Sequence, residues 1–269
     1  MATEPVLPPD DSPLDKETID LFLSNMGTDM VLVGGQALAF WMDRFGIEAE
    51  GAAISNDGDA LGKVARAMDL AQTITARVVL PKKSSMTAIV AQLRIPTAGG
   101  KERNIDVLHT LYAGANPKKS TLFTKRVIAD SVEAEWRPGR FIRVMDPLDV
   151  LESRVQNAVG LLEEKGPHML TQVEWAIRVA SEALRRIAQD PESSKGLGGK
   201  IRRIYTLARS GVGRRLLSER HIEILGAVDV ELLKSLSPAH TKQLDLVQKA
   251  KVERQAPRES GHPPPSAPR

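Results

Sequence analysis

The chain has 269 residues, 42% of them hydrophobic and 26% charged, with a formal net charge of +3 and no cysteine. That balance excludes a wholly disordered chain, and the longest apolar runs fall far short of the ~20 residues of a membrane-spanning helix. The absence of cysteine excludes a disulfide framework, a thiolate metal site and a cysteine nucleophile.

Residues 1–13, MATEPVLPPDDSP, are proline-rich and acidic and are expected to form a flexible lead-in. Acids and prolines stand where a secretory signal carries a basic start and an apolar run, so a cytoplasmic protein is expected. The spacing of Ile19, Leu21, Phe22, Leu23 and Met26 predicts a helix over 14–26 that stops near Gly27. A short strand, Met30 to Val33, then runs into Gly34-Gly35 and a second helix from Gln36 to Phe45, whose Phe40, Trp41 and Phe45 are candidate core. An extended segment, Gly51 to Asp59, precedes a helix expected over Ala60 to Gln72. Strands are expected at Ala76 to Leu80, Thr87 to Ile95 and Arg103 to Leu111. Two more, near Val132 to Trp136 and Phe141 to Val144, are joined by the turn Arg137-Pro138-Gly139-Arg140.

Composition changes at Asp146-Pro147, an acidic N-cap with proline at the first helical position. From there to Val252 the segments read as helical, with breaks at Gly166-Pro167, Asp190-Pro191, Gly196 to Gly199, Gly211 to Gly213 and Ser237-Pro238. The reading is an α+β protein: a mixed domain over 14–145, an all-helical domain over 146–252, and a disordered Pro/Ser/Arg tail over 253–269.

Three carboxylates stand out. Asp57 and Asp59 are two apart and project to one face if the segment is extended, and Asp106 is centred in the apolar strand Asn104-Ile105-Asp106-Val107-Leu108. His109 falls on the opposite face from Asp106. If the three acids converge they must protonate or bind cations, and aspartate oxygens select Mg²⁺ or Mn²⁺ over zinc. Gly34-Gly35 at a strand-to-helix turn leaves the amides of a helix N-terminus for phosphate. Plainer readings stand beside these: a structural turn at Gly34-Gly35, a helix N-cap at Asp59, Asp106 in a buried ion pair with Arg103 or Arg94, and Arg154 as a surface cation near Glu152 or Asp149. Between Lys195 and Arg220, eight cations face the single acid Glu219. This segment is either a solvated face, a track for RNA phosphates or a dock for an acidic protein.

In Val33-Gly34-Gly35-Gln36-Ala37-Leu38-Ala39, Ser55-Asn56-Asp57-Gly58-Asp59 and Met145-Asp146-Pro147-Leu148-Asp149-Val150-Leu151, the chain resembles the nucleotidyltransferase superfamily, and within it the AbiEii-type abortive-infection nucleotidyltransferases, over about residues 14 to 190. The resemblance implies a small mixed sheet flanked by helices with a helical C-terminal domain. It also implies transfer of a nucleotidyl group from a nucleoside triphosphate to a hydroxyl on RNA, protein or a small molecule. Carried over residue by residue, it makes Asp57 and Asp59 ligands of two metal ions and Asp106 a ligand of the one that activates the attacking hydroxyl. Gly34, Gly35 and the Gln36 amide would cradle phosphate, with contacts added by Ser55 and Arg154. Two positions depart from the family pattern. Gly58 replaces an apolar residue and is expected to loosen its strand, and Arg154 stands where lysine is commoner. The implied biology is the toxin-like half of a bacterial defence or toxin–antitoxin pair, with tRNA or another RNA as acceptor and a cognate antitoxin protein as partner. The alternatives are a nucleotidyltransferase for a small aminoglycoside-like molecule and a catalytically silent fold that binds nucleic acid or protein.

Overall fold

The computed structural model describes residues 14–49, 57–82, 85–96, 101–114 and 116–255. The expected lead-in, Ser55 and most of the expected tail therefore lie outside the described residues.

Helix α1 (Lys16–Met26) starts where the Asp15 carboxylate accepts from the Thr18 amide, and it stops at Gly27, whose φ is 74°. Strand β1 (Val31–Val33) passes directly into α2 (Gly34–Phe45), which Gly46 closes in the left-handed conformation. Then follow β2 (Gly58–Leu61), α3 (Val64–Thr73), β3 (Arg77–Val79), β4 (Ile89–Pro96) and β5 (Glu102–Leu108). Next come α4 (Pro117–Asp130) and the hairpin of β6 (Val132–Arg137) and β7 (Arg140–Val144). The remaining elements are α5 (Pro147–Gly160), α6 (Leu162–Lys165), α7 (His168–Gln189), α8 (Pro191–Ser194), α9 (Leu197–Arg209), α10 (Gly211–Arg220), α11 (Val230–Leu236) and α12 (Thr241–Gln255), with single 3-10 turns at Ile224–Ala227 and Pro238–His240.

The strands form one mixed sheet in the order β3-β4-β5-β2-β1-β7-β6. The β1–β7 and β2–β5 pairs are parallel, and β1–β2, β3–β4, β4–β5 and β6–β7 are antiparallel. One face is covered by α1 and α3: a Cβ on Gly58 would stand 3.3 Å from both Phe22 of α1 and Ile105. The glycine thus fits a close helix-on-sheet contact, and β2 keeps its register with β5 instead of loosening.

The β1–α2 junction leads into the helical region. Helix α2 packs on α5 and α7, burying Leu38, Trp41 and Met42, and the Trp41 indole donates to the Met145 carbonyl at 2.8 Å. Helix α7 offers Val173, Ala176, Ala180 and Leu184, spaced three or four apart, as its buried stripe. Among the described residues, no helix is long and apolar enough to cross a membrane.

Several boundaries differ from expectation. Ala60 and Leu61 belong to β2 and the next helix starts only at Val64, because these small apolar residues pair with Val107 and Leu108 in the sheet. Gly198 and Gly199 lie inside the first turn of α9 and do not break it. Helix α12 runs to Gln255, so 253–255 are helical. Helix α4, which no sequence reading anticipated, begins at Asn116-Pro117, where the Asn116 side chain accepts from the Lys118 amide.

Candidate functional site

The site begins at the turn from β1 to α2. Gly34 has a φ of +68°, a conformation that favours glycine, and a Cβ there would lie 2.9 Å from both Cβ and Cγ of Asp59. The Asp59 side chain therefore fills the space that any other residue at 34 would occupy. Val33 supplies no side-chain cap to α2, so the first amides of this 12-residue helix, those of Gly34, Gly35 and Gln36, form a positively polarised end beside Asp59.

Strand register extends the site across the sheet. Asp59 pairs with Val33 on one side and with Asp106 on the other. In-register neighbours on adjacent strands share a face, so Asp59 and Asp106 project together, away from Phe22. The same row continues into β4, where Gln92 opposes Asp106 and donates to its Oδ1 at 2.9 Å. Arg94 donates to Gln92 Oε1 at 2.9 Å and to Glu102 at 3.3 Å, and Arg77 grips the same Glu102 through both carboxylate oxygens. Burial pushes the Glu102 carboxyl up, and hydrogen bonds from Arg77 and Arg94 outweigh it, leaving the group below the ordinary carboxylate range. Asp57 stands exposed just before β2.

Asp59 thus lies within a strand and caps no helix; the residue ahead of α3 is Lys63, which makes no side-chain cap either. Arg94 reaches Asp106 through Gln92, and strand alternation puts Arg103 on the other face, 3.5 Å from Asp15. His109 is exposed beyond the end of β5 and contacts the Thr87 carbonyl through Nε2 at 3.0 Å.

Arg154 is not the surface cation that its neighbours Glu152 and Asp149 suggest. It is buried in α5, donating to Gln172 Oε1 of α7 at 2.9 Å and to Ser153 Oγ at 3.2 Å. Burial holds its guanidinium below the ordinary arginine value, and the Asp59 carboxylate opposes that shift. The Asp59 carboxylate thus stabilises this buried cation. Gln92, Ser153 and Gln172 are the residues sequence reasoning missed. Each acts through a partner that only the fold brings near.

The acids near Arg154 have other partners. Asp149, fully buried, pairs with Arg126 of α4 and Arg203 of α9, and Glu152 pairs with both arginines at 2.6 and 3.3 Å. Lys200 reaches Asp146 at 3.2 Å. Part of the basic run over 195–220 is therefore neutralised by acids of α5, far away in sequence, while Arg202, Arg214 and Arg220 remain exposed.

Among the described residues, no three His, Asp or Glu side chains are gathered tightly enough to form a metal-holding group. The chemistry of the donors nonetheless suits a hard cation. Two carboxylates on strands ~4.8 Å apart repel by about 3–4 kcal/mol at an effective dielectric of 20, and oxygen donors without nitrogen or sulfur select Mg²⁺ or Mn²⁺. No known family model matches the chain, and no curated protein matches it in sequence.

Proposed function

We propose that this chain is a metal-dependent nucleotidyltransferase that moves a nucleotidyl group from a nucleoside triphosphate to a hydroxyl, with RNA as the acceptor class. The observation that carries the reading is the convergence at one turn: the uncapped N-terminus of α2, the Asp59 carboxylate in the space vacated by Gly34, and Asp106 in register beside it. A phosphate-binding helix end placed directly against paired carboxylates is what transfer at a triphosphate requires.

Asp57, Asp59 and Asp106 would hold Mg²⁺ or Mn²⁺, and the ion would supply Lewis-acid stabilisation of the triphosphate and a lowered pKa for the attacking hydroxyl. The chain's own groups do the rest. The amides of Gly34, Gly35 and Gln36 bind triphosphate oxygens at the positive end of α2. Arg154, fixed by Gln172 and Ser153, adds positive charge from a buried position where it is weakly screened. The acceptor oxygen attacks the α-phosphorus, its proton passes to the Asp106 carboxylate, and the bond to the bridging oxygen breaks to release pyrophosphate. Gln92 orients Asp106 through the hydrogen bond to Oδ1.

The exposed cations of α9 and α10 favour RNA over an aminoglycoside-like acceptor, which calls for an acidic cleft. The sequence resemblance extends this reading to a cytoplasmic, toxin-like enzyme held by an antitoxin protein. Calorimetric titration of nucleoside triphosphates with Mg²⁺ tests the site. Metal-dependent binding by wild type that is lost in Asp59→Asn and Asp106→Asn supports it. Folded wild type that binds no triphosphate leaves the catalytically silent fold as the reading.

A further inference from the structure

A second site lies away from the carboxylates. Strands β2 and β5 run parallel, and Asp106 lies two residues before the end of β5 at Leu108. The chain that leaves that end of β5 forms one wall of a cavity of about 680 Å³ and the start of α10 forms another, and none of Asp57, Asp59 and Asp106 lines it. Lys119 of α4 and Arg214 and Arg215 of α10 line it, together with Asn116, Gln156 and Gly211, and no acid is part of the lining among the described residues.

The local structure explains why these groups meet. A Cβ on Gly213 would stand 2.6 Å from the Ala208 carbonyl oxygen, so this glycine allows α10 to turn sharply off α9. The turn brings Ser210 into position to cap the Gly213 amide at 3.2 Å. That leaves the amides of Gly211 and Val212 at the start of a ten-residue helix, and both residues line the cavity. Space beside Gly211 is open, with nothing within 4 Å of a Cβ built there. The α4 end contributes differently: Pro117 has no amide hydrogen and Asn116 already caps Lys118, so its share is the Lys119 ammonium.

Charge is available here. Lys119 and Arg214 are exposed and make no ion pair among the described residues. Arg215 holds Glu219 at 3.0 Å in an exposed i,i+4 pair, of the kind worth at most about 1 kcal/mol. A smaller cavity of about 260 Å³ lies along α10, sharing Arg215 and adding Arg220 together with the acids Glu163 and Glu219. The result is a set of cations along one helix, flanked by a large recess.

We propose that this recess binds the phosphodiester backbone of an RNA strand, with Lys119, Arg214 and Arg215 as its cationic contacts and the Gly211 and Val212 amides as neutral donors to one phosphate. The preference for phosphate rests on the cations and amides of the recess, and the choice of RNA among phosphodiesters rests on the proposed function, in which RNA is the acceptor.

The test is fluorescence anisotropy with a labelled single-stranded RNA over a range of salt concentrations, on the full chain and on Lys119→Ser/Arg214→Ser, with the Mg²⁺-triphosphate titration run in parallel. Each charge that neutralises a phosphate of a single strand contributes about 0.7 to the slope of log K against log salt. The double variant is expected to lower that slope by about 1.4 and weaken binding at least tenfold, with triphosphate binding unchanged. Lys242→Ser, on an exposed cation of α12 outside the recess, is expected to change neither. RNA binding by the double variant equal to wild type, or none by wild type, would overturn the inference. Loss of RNA binding in the double variant of a chain that binds no triphosphate would leave the inference standing and remove the proposed enzymatic function.

Discussion

Gly34 and Asp59 share one volume: the Asp59 side chain lies where a Cβ on residue 34 would be, 2.9 Å from its own Cβ and Cγ to that position. The glycine at the end of β1 is therefore required by an aspartate 25 positions later as well as by its own φ of +68°. That coupling separates this turn from an ordinary strand-to-helix connection, where glycine serves the backbone alone.

Gly34→Ala is expected to destabilise the fold by about 2–4 kcal/mol, the sum of the left-handed backbone penalty and overpacking. Gly46→Ala provides the contrast, since Gly46 has a φ of +66° with nothing within 4 Å of an added Cβ. It should cost only about 1 kcal/mol. Urea unfolding of both variants checks this, and equal costs would mean that Asp59 exerts no pressure on the turn.

Replacing Arg154 with methionine removes a buried charge and fills most of its volume. Such exchanges are often close to neutral, here offset by the loss of Gln172's partner, so stability should change by less than about 2 kcal/mol in either direction. Triphosphate affinity should fall at least about tenfold, or ~1.4 kcal/mol. A large loss of stability with unchanged affinity would make Arg154 a purely structural residue.

Glu102 gives the fold a pH dependence of known sign. Its carboxyl titrates below the ordinary value in the folded chain because Arg77 and Arg94 hold it ionised. Its contribution is fully present above the unfolded value near 4.5 and is lost as pH falls through the lowered folded value. Glu102→Gln should cost about 2 kcal/mol at neutral pH and flatten the acid limb of stability as pH falls below the unfolded value near 4.5, measured as midpoint urea concentration against pH. An unchanged acid limb would contradict the assignment.

Arg203→Ala leaves the fully buried Asp149 with Arg126 alone and should destabilise by about 3–5 kcal/mol, the usual cost of breaking a buried pair. Arg202→Ala, next in sequence but exposed, should stay within about 0.5 kcal/mol. Thermal unfolding distinguishes a structural clamp between α4, α5 and α9 from a solvated basic helix.

What the sequence made legible was local. The β1–Gly34-Gly35–α2 succession and the placement of Asp106 inside a strand follow from a change of hydrophobic period and from period-two alternation. Asp59 was ambiguous because Ala60 and Leu61 suit a helix as well as a strand; pairing with β5 decides it. The partners of the charged residues were not legible. Arg203 reads as one of many cations beside Glu219, yet its counter-charges lie on α5, 51 and 54 positions away. Arg154 reads as amphipathic surface, but Gln172 and the neighbourhood of Asp59 bury it. Hydrophobic periodicity identifies which face of an element is covered, and it carries no information on which distant polar group completes a buried charge.

The most direct measurement of the central claim is incubation of the chain with Mg²⁺, RNA and each nucleoside triphosphate labelled at either the α- or the γ-phosphate. Nucleotidyl transfer predicts that the α-label becomes attached to RNA, the γ-label leaves as pyrophosphate, and both signals vanish in Asp59→Asn. Transfer of the γ-label to the acceptor, or α-label incorporation that persists in Asp59→Asn, would contradict the account.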